Sequence, residues 1–423
     1  MKRKIKNLTD LVLEMCKKAK KASYLLAQLS TETKNRSLCN MADALEKNAD
    51  VIIEANKKDM EVSRRKGVKE ALLDRLLVNE KRISNMANCL REVAQLPDPI
   101  GEIVKTWTLP NGLIIGQLRV PLGVVAVIYE SRPDVTSDAS GICLKSGNAV
   151  ILRGASNAIN SNIMIGRVLN QAAVELGIPD GAIQVIPVTD RSVATQLMTM
   201  RDYVDVLIPR GGADLIKAVV ENSKVPVVET GVGNCHIYVE NDADLSRAVD
   251  IIINAKCQRP GVCNATEKLL VHRNVAELFL PKIVKLLRDH GVEVRGCEES
   301  CRIVADVVPA TEEDWYTEYL DLIIGVKVVD GLDEAISHIN KYGTKHSESI
   351  LTSDFSKALM FIRCVDAAAV YWNASTRFTD GSQYGLGAEI GISTQKIHAR
   401  GPMSVQQLTT IKYFGLGRGH IRQ

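Results

Sequence analysis

The sequence lacks any long uninterrupted apolar run, although 46% of its 423 residues are hydrophobic. A helix that crosses a bilayer needs about 20 consecutive, mostly apolar residues. The basic first residues resemble the start of a secretion signal, but Asp10, Glu14 and Lys17 interrupt the apolar stretch that follows. The sequence therefore predicts neither a membrane span nor export.

The chain also lacks an excess of charge of one sign. Its 53 Lys and Arg residues face 50 Asp and Glu residues, which leaves a formal net charge of +3. A protein that binds nucleic acid usually concentrates basic residues in a patch or stripe. Nucleic acid is therefore not an expected partner.

No regular cysteine framework is present, although the chain contains ten cysteines. Scattered cysteines in a chain of this length are typical of reduced thiols in a cytoplasmic protein. Cys297 and Cys301 form the one close pair, and no second Cys or His pair with ligand spacing follows them. The sequence predicts no metal site.

The length predicts two or three domains. Residues 9–96 have helical periodicity, and Asn111-Gly112 predicts a hairpin between 101 and 120. Short apolar runs then alternate with helical stretches, which predicts an α/β protein with two parallel sheets. The predicted strands are 124–129, 149–152, 183–187, 204–208, 236–239, 268–271, 323–329 and 369–372. Strand-like pieces beyond residue 385 can pair with the hairpin or with another subunit.

Cys263 is the best candidate nucleophile. It lies in a polar, turn-forming stretch at 258–266 (QRPGVCNAT), whereas cysteines such as Cys143 lie in apolar or helical contexts. Backbone N–H groups of such a turn, together with Asn264 and Arg259, can stabilise a thiolate and then an oxyanion. The alternative is that Cys263 is simply a small apolar side chain.

Two strand ends carry features that bind anions. Arg210, Gly211 and Gly212 follow a predicted strand and open a helix, so backbone amides can point at a dinucleotide phosphate. Arg153 ends another strand and is suited to a ribose or its 2′-phosphate. The alternatives are an ordinary strand-to-helix turn and a solvated arginine.

Polar residues also follow two other predicted strands, at the edge where ligands of parallel sheets usually bind. Ser131 and Arg132 follow the strand at 124–129, and Arg132 is suited to a phosphate or carboxylate. The second group comprises Asn373, Ser375, Thr376 and Arg377. A polar loop without a ligand is the alternative for that group.

Long strings of residues resemble the γ-glutamyl phosphate reductases, a branch of the aldehyde dehydrogenase superfamily, nearly end to end. The strings are 121–133 (PLGVVAVIYESRP), 145–153 (KSGNAVILR), 229–239 (ETGVGNCHIYV), 257–264 (CQRPGVCN) and 373–381 (NASTRFTDG). The resemblance implies two Rossmann-type α/β domains with a β-hairpin oligomerisation flap. It assigns 1–101 with 121–229 to the cofactor, 230–390 to catalysis, and 102–120 with 391–423 to the flap.

The resemblance also implies roles for site residues. Cys263 falls at the position of the catalytic cysteine, with Asn264 and Ser131 as catalytic partners. Arg132, Asn373, Ser375, Thr376 and Arg377 are implied to bind the substrate. The residues implied to bind the cofactor are Ile128, Tyr129, Arg153, Ser156, Arg210, Gly211, Gly212, Glu229 and Glu318. Ser156 stands where many NAD-dependent relatives have a glutamate, which favours NADP, and Glu318 resembles the glutamate that contacts the nicotinamide ribose.

Further departures from the oxidative enzymes suit an acyl phosphate. Ser131 replaces the oxyanion-hole asparagine, and Glu229 aligns only loosely with the general base that activates water. A separate departure concerns the cofactor: Ile216 replaces the later glycine of the phosphate turn, which implies that the phosphates of the cofactor are held differently. The resemblance thus implies NADPH-dependent reduction of L-glutamate 5-phosphate to L-glutamate 5-semialdehyde through a cysteine thioester, in proline biosynthesis. It also implies a dimer or tetramer, and a separate glutamate 5-kinase as a functional partner.

Three other functions stay open at this point. A hydrolytic aldehyde dehydrogenase would oxidise aldehydes without phosphate. A non-catalytic assembly or regulatory partner could keep the fold, although intact Cys263, Arg132 and Arg377 argue against it. A cysteine-based metal or redox module is the third alternative.

Overall fold

The structure is a computed structural model that describes residues 2–68 and 70–422. It forms two compact units. The first unit, called unit 1, comprises Met1–Glu229, Gly385–Gly391 and Met403–Gln423, and the second, called unit 2, comprises Thr230–Tyr384 and Ile392–Pro402. The cofactor, catalytic and flap roles assigned to parts of the chain stay predictions.

The described residues form α-helices joined by strands and short loops. The helices are α1 (Lys2–Leu26), α2 (Thr31–Lys47), α3 (Ala49–Arg65), α4 (Glu70–Leu76), α5 (Glu80–Gln95), α6 (Asp134–Lys145), α7 (Ile159–Glu175), α8 (Arg191–Leu197), α9 (Ala213–Asn222), α10 (Leu245–Cys257), α11 (Arg273–Asp289), α12 (Glu298–Ile303), α13 (Glu312–Tyr316), α14 (Leu332–Tyr342) and α15 (Phe355–Cys364).

The strands follow the same numbering along the chain. They are β1 (Ile103–Thr108), β2 (Ile114–Pro121), β3 (Val124–Tyr129), β4 (Ala149–Gly154), β5 (Ile183–Val185), β6 (Val206–Arg210), β7 (Cys235–Val239), β8 (Thr266–His272), β9 (Glu293–Gly296), β10 (Val308–Pro309), β11 (Ile323–Val329), β12 (Ser347–Leu351), β13 (Ala369–Trp372), β14 (Gly391–Ser393), β15 (Gly401–Met403) and β16 (Thr409–Leu416).

Unit 1 contains a parallel four-stranded sheet in the order β5-β4-β3-β6. All six residues of β3 are buried, which explains its continuous apolar sequence. Two of the helices before the sheet, α2 and α5, begin at capping side chains: Ser30 accepts from the Thr33 N–H, and Asn79 accepts from the Arg82 N–H.

A separate antiparallel sheet in unit 1 contains the predicted hairpin. Strands β1 and β2 pair around a turn in which Gly112 has a φ of +88°, and β16 pairs along the other edge of β2. The C-terminal strand therefore pairs with the hairpin of its own chain. We call this three-stranded sheet the flap.

Unit 2 contains a seven-stranded sheet in the order β10-β9-β11-β8-β7-β12-β13, with parallel neighbours throughout. One apolar core packs α10 and α11 on the sheet, and a second packs α14 and α15. The prediction of an α/β fold with parallel sheets is confirmed.

The predicted strands differ from the structure in one boundary and in three missed strands. The strand predicted at 204–208 spans 206–210, because the Asp205 carboxylate accepts from the Val124 N–H at 2.7 Å and also pairs with Lys20. The sequence analysis also missed β12, a buried strand that begins Ser-Glu-Ser. The short strands β9 and β10 were likewise missed.

Candidate active site

Cys263 lies in the turn between α10 and β8, and its side chain is partly exposed. The turn is closed by the Ala265 N–H, which donates to the Val262 carbonyl at 3.1 Å. Beneath it, the Cys235 thiol donates to the Cys263 carbonyl at 3.1 Å. Burial raises the pKa of Cys235, which keeps it a thiol and therefore a donor.

Gly233 packs directly against the backbone of Cys263. A Cβ atom at Gly233 would lie 1.4 Å from the Cys263 carbonyl oxygen, so no other residue fits without displacing the turn. The Gly233 N–H donates to Oε1 of Glu318 at 2.6 Å. The structure thus brings Glu318, Gly233 and Cys263 together within unit 2.

Asn264 is buried and ties the Cys263 turn to the segment 376–379. Its amide nitrogen donates to the Thr379 carbonyl at 2.9 Å and to the Arg377 carbonyl at 3.4 Å. In return, the Thr376 hydroxyl donates to the Asn264 carbonyl at 2.7 Å. The side chains of Asn264 and Thr376 therefore hold backbone in place.

Arg377 brings a positive charge to the same turn. Its Nε donates to Oε1 of Gln258 at 3.0 Å, and its Nη1 donates to Oδ1 of Asn264. Burial lowers the pKa of Arg377 and the nearby charge of Arg259 lowers it further, whereas Asp380 and, to a smaller extent, Cys263 raise it. Because guanidinium keeps its proton in proteins, Arg377 supplies a lasting cation beside Cys263.

Asn373 and Ser375 shape the loop that carries Arg377. Asn373 has a φ of +53°, and its amide accepts from the Thr352 N–H at 3.1 Å and donates to the Thr352 carbonyl at 2.9 Å. The Ser375 hydroxyl accepts from the Arg377 N–H at 3.3 Å. These contacts make both residues supports of the loop.

In unit 1, the end of β3 leads into a polar loop. Ile128 and Tyr129 are buried, and the Tyr129 hydroxyl is 2.7 Å from that of Thr136, so their side chains belong to the core. Ser131 is partly exposed and exchanges hydrogen bonds with the amide of Asn157 at 2.7 and 3.1 Å. Arg132 is also partly exposed.

Arg153 and Ser156 lie at the end of the neighbouring strand. Arg153 donates from Nη2 to the Thr189 carbonyl at 3.5 Å, while its buried Nε has no hydrogen-bond partner among the described residues. Burial lowers the pKa of Arg153, and the nearby charge of Arg191 adds to that effect. Ser156 is exposed at the start of a 3₁₀ turn. The guanidinium groups of Arg153 and Arg191 and the hydroxyl of Ser156 are groups that suit a phosphate dianion.

The predicted phosphate turn at Gly211 and Gly212 already holds an anion of the protein. The Gly212 N–H donates to Oε2 of Glu130 at 2.9 Å, and a Cβ atom at Gly211 would lie 2.6 Å from that oxygen. Arg210, just before the turn, lies 3.8 Å from Glu389. Glu229 is the last residue of the first segment of unit 1 and is partly exposed.

Sequence reasoning missed several supports of the Cys263 turn. Cys235, Gln258 and Thr379 contact the turn, and each lies inside a string that carried the family resemblance. Their positions in those strings were the available signal, but the strings do not say which atoms meet.

Other features concern the described part of the chain as a whole. Within residues 2–68 and 70–422, all ten cysteines are free, and no group of three or more His, Cys, Asp or Glu side chains is arranged to hold a metal ion. None of the helices described is both long enough and apolar enough to cross a membrane.

The chain belongs to the aldehyde dehydrogenase family, which matches residues 7–321. A γ-glutamyl phosphate reductase from Caldanaerobacter subterraneus is 61% identical over 96% of this chain and 98% of its own length. The crystal structure of the γ-glutamyl phosphate reductase from Thermotoga maritima has a TM-score of 0.95 and 53% identity, over 97% of this chain and 100% of that chain.

Within that family, the chain groups with the γ-glutamyl phosphate reductases. More distant structures share the fold alone. An acetylating aldehyde dehydrogenase from Geobacillus thermoglucosidasius has a TM-score of 0.72 at 18% identity, over 99% of both chains. The predicted family and aldehyde-dehydrogenase-like fold are confirmed.

Proposed function

We propose that this oxidoreductase reduces L-glutamate 5-phosphate to L-glutamate 5-semialdehyde with NADPH, as the second step of proline biosynthesis. The observation that carries the proposal is the partly exposed Cys263, whose turn is held by Asn264 and Gly233 beside the cation of Arg377. The names of relatives that are about 60% identical supply the substrate.

The thiolate of Cys263 attacks the acyl carbon, and the bond from that carbon to the phosphate oxygen breaks. Phosphate leaves with the bonding electrons, and a thioester remains on Cys263. The side-chain amide of Asn264 already donates to two carbonyl groups. The backbone N–H groups of the turn are therefore better candidates than Asn264 for binding the oxyanion. The roles of Ser131 as an oxyanion donor and of Arg132 as an anion ligand stay predictions.

Arg377 stabilises the thiolate and binds an anionic group of the substrate. After reduction, the carbon–sulfur bond breaks, the semialdehyde leaves, and the thiolate is restored. When bound, NADPH supplies the hydride for that reduction. Arg153 and Ser156 would hold its 2′-phosphate, which suits the buried, unpartnered Nε of Arg153.

We also propose that unit 1 holds the cofactor and unit 2 the nucleophile, and that the enzyme works in the cytoplasm. The flap exposes apolar side chains, which supports a role in forming a homodimer or homotetramer. Since acyl phosphates are labile, a separate glutamate 5-kinase is a suitable functional partner.

The proposal is tested in the oxidative direction. Purified protein is incubated with glutamate 5-semialdehyde, with or without phosphate, and with NADP or NAD, while the nicotinamide absorbance is followed. We expect reduction of NADP only when phosphate is present, because phosphate must cleave the thioester. Turnover without phosphate would indicate a hydrolytic aldehyde dehydrogenase instead.

Cys263→Ser should lower this phosphate-dependent turnover by at least about a thousandfold, because a hydroxyl is a far weaker nucleophile at neutral pH. The affinity for NADP should stay within about twofold of wild type. The exposed Cys364 provides the control, since Cys364→Ser should keep full activity. Retained turnover in Cys263→Ser would rule out the thioester.

A further inference from the structure

The segment 317–320, which carries Glu318, is held by a buried lysine of the central sheet. Lys268 lies on β8 and is 0% exposed. Its Nζ donates to the Thr317 carbonyl at 2.8 Å and lies 4.5 Å from the centre of the Tyr319 ring. One ammonium group therefore contacts both neighbours of Glu318.

The backbone of this segment is constrained on its other side. Leu320 has a φ of +54°, a backbone conformation that residues other than glycine rarely adopt. Its N–H points to Oε1 of Glu267 at 3.4 Å. Because a strained residue persists only where its surroundings hold it, these contacts fix the direction of Glu318.

The path of Lys268 through the core depends on a glycine. A Cβ atom at Gly325, on β11, would lie 2.8 Å from Cδ of Lys268 and 3.3 Å from the Trp315 ring. The sheet thus leaves a channel for the aliphatic part of the lysine. Burying a charge costs free energy unless the charge is well paired. Here the ammonium is paired with one carbonyl group and one aromatic face.

We infer that Lys268 is a positioning residue that aims the Glu318 carboxylate at the Cys263 turn, where Glu318 engages the ribose of the nicotinamide cofactor. The path is continuous: Lys268 holds Thr317, the next residue is Glu318, and its carboxylate binds the Gly233 N–H against the Cys263 carbonyl. The inference rests on the proposed function, because it assigns Glu318 to the cofactor.

The test compares Lys268→Met with Lys145→Met in the full-length protein. Lys145 is also fully buried and likewise donates to a backbone carbonyl, that of Ala94 at 2.9 Å, but it lies in unit 1 and its ammonium is not bonded to residue 317. We expect Lys268→Met to raise the Kd and KM for NADPH by about tenfold. Lys145→Met should leave both within about twofold, even if it lowers the melting temperature as much.

A double variant separates positioning from general damage. If Lys268 acts through Glu318, then Lys268→Met combined with Glu318→Gln should bind NADPH no more weakly than Glu318→Gln alone. Multiplied effects in the double variant, or an unchanged NADPH affinity in folded Lys268→Met, would overturn the inference. Equal losses in Lys145→Met and Lys268→Met would overturn it as well.

Gly325→Ala covers the case in which Lys268→Met does not fold. It keeps the lysine but pushes its stem aside, so a several-fold rise in the Kd for NADPH is expected, and an unchanged Kd would contradict the inference. Wild-type protein that binds neither NADPH nor NADH would refute the proposed function itself. Normal wild-type turnover with unaffected variants would refute the positioning role alone.

Discussion

Arg153 has a buried Nε without a partner in the described part of the chain, and burying such a donor costs free energy unless a ligand pairs with it. The nearby charge of Arg191 adds electrostatic repulsion, which a dianion would relieve. At the scale of single residues, this corner is the best match for the phosphate that distinguishes NADPH from NADH.

Arg153→Leu should therefore raise the KM for NADPH by about tenfold to a hundredfold, because a charge-assisted bidentate contact is lost. The KM for NADH should change by less than about threefold. Steady-state kinetics with each nucleotide checks this. Arg167→Leu, at an exposed position on α7, is the matched control, and an equal loss for both nucleotides in Arg153→Leu would contradict the assignment.

Lys268 also predicts how stability depends on pH. Burial lowers its pKa from 10.5 to about 8, so between these values the unfolded chain binds more protons than the folded chain, and stability rises with pH. Glu267 affects stability in a lower pH range, between about 4.5 and about 7, because burial raises its pKa from 4.5 to about 7. The ionisable groups that surround Lys268 are Cys235, His236, Lys256, Glu267, Asp314, Tyr319, His338 and Glu348.

Wild type should accordingly gain stability over Lys268→Met as the pH rises from about 8 to about 10, by an amount on the order of 2 kcal/mol. Urea unfolding of both proteins across this range measures the difference in their free energies of unfolding. A difference that is flat or falls with pH would show that folding does not lower the pKa of Lys268.

The sequence predicted the place of Cys263 but not the use of its neighbours. A polar turn between a helix and a strand can be recognised from the sequence, because that pattern is local, and it singled out Cys263 as the candidate nucleophile. Asn264 was predicted to stabilise the oxyanion, yet its amide contacts carbonyls more than 110 residues away in the chain. Such pairings depend on tertiary structure, and no local pattern encodes them.

At the scale of elements, apolar strands were predictable and β12 was not. The first three residues of β12 are Ser347, Glu348 and Ser349, all buried. Ser347 donates to the Thr379 hydroxyl at 2.7 Å, Ser349 donates to the Ala374 carbonyl at 2.7 Å, and Glu348 accepts from the His236 N–H at 2.6 Å. Internal partners replace water for these groups, so composition alone predicts an exposed segment.

Substitutions of Glu348 test this explanation of β12. Burial raises the pKa of Glu348, which favours the neutral acid, so Glu348→Gln keeps an acceptor for His236 and should cost less than about 1 kcal/mol. Glu348→Leu leaves that N–H unpaired and should cost about 2–4 kcal/mol. Urea unfolding at neutral pH checks both values, and equal losses would indicate that shape, not hydrogen bonding, holds the strand.

At the scale of the whole molecule, the return of the C-terminal strand to the hairpin completes the flap. The sequence left two partners open for this strand, because strand pairing between distant segments has no local signature. Pairing with β2 leaves β1 as an edge strand with mostly exposed residues. An exposed strand edge with apolar side chains favours association with another chain.

The flap should therefore hold subunits together. Ile103→Glu combined with Leu416→Glu, at side chains that are 57% and 59% exposed, should shift the protein to a smaller species in size-exclusion chromatography with light scattering. The reason is that charge on such a surface must be desolvated on association. Leu278→Glu, on α11 and 73% exposed, is the control and should keep the mass of the wild-type assembly. An unchanged mass in the double variant would show that the flap does not hold the subunits together.

The contact between Glu130 and Gly212 makes the chain a competitor for its own anion site. A tethered carboxylate cannot be diluted away, so any phosphate that uses this amide meets a rival present in every molecule at constant effective concentration. The apparent affinity of the phosphate falls by the fraction of molecules in which the Glu130 carboxylate occupies the Gly212 amide. The Glu130 carboxylate therefore selects ligands by their affinity. Weakly bound monoanions do not displace it, whereas a ligand that is also bound elsewhere through a second phosphate can displace it.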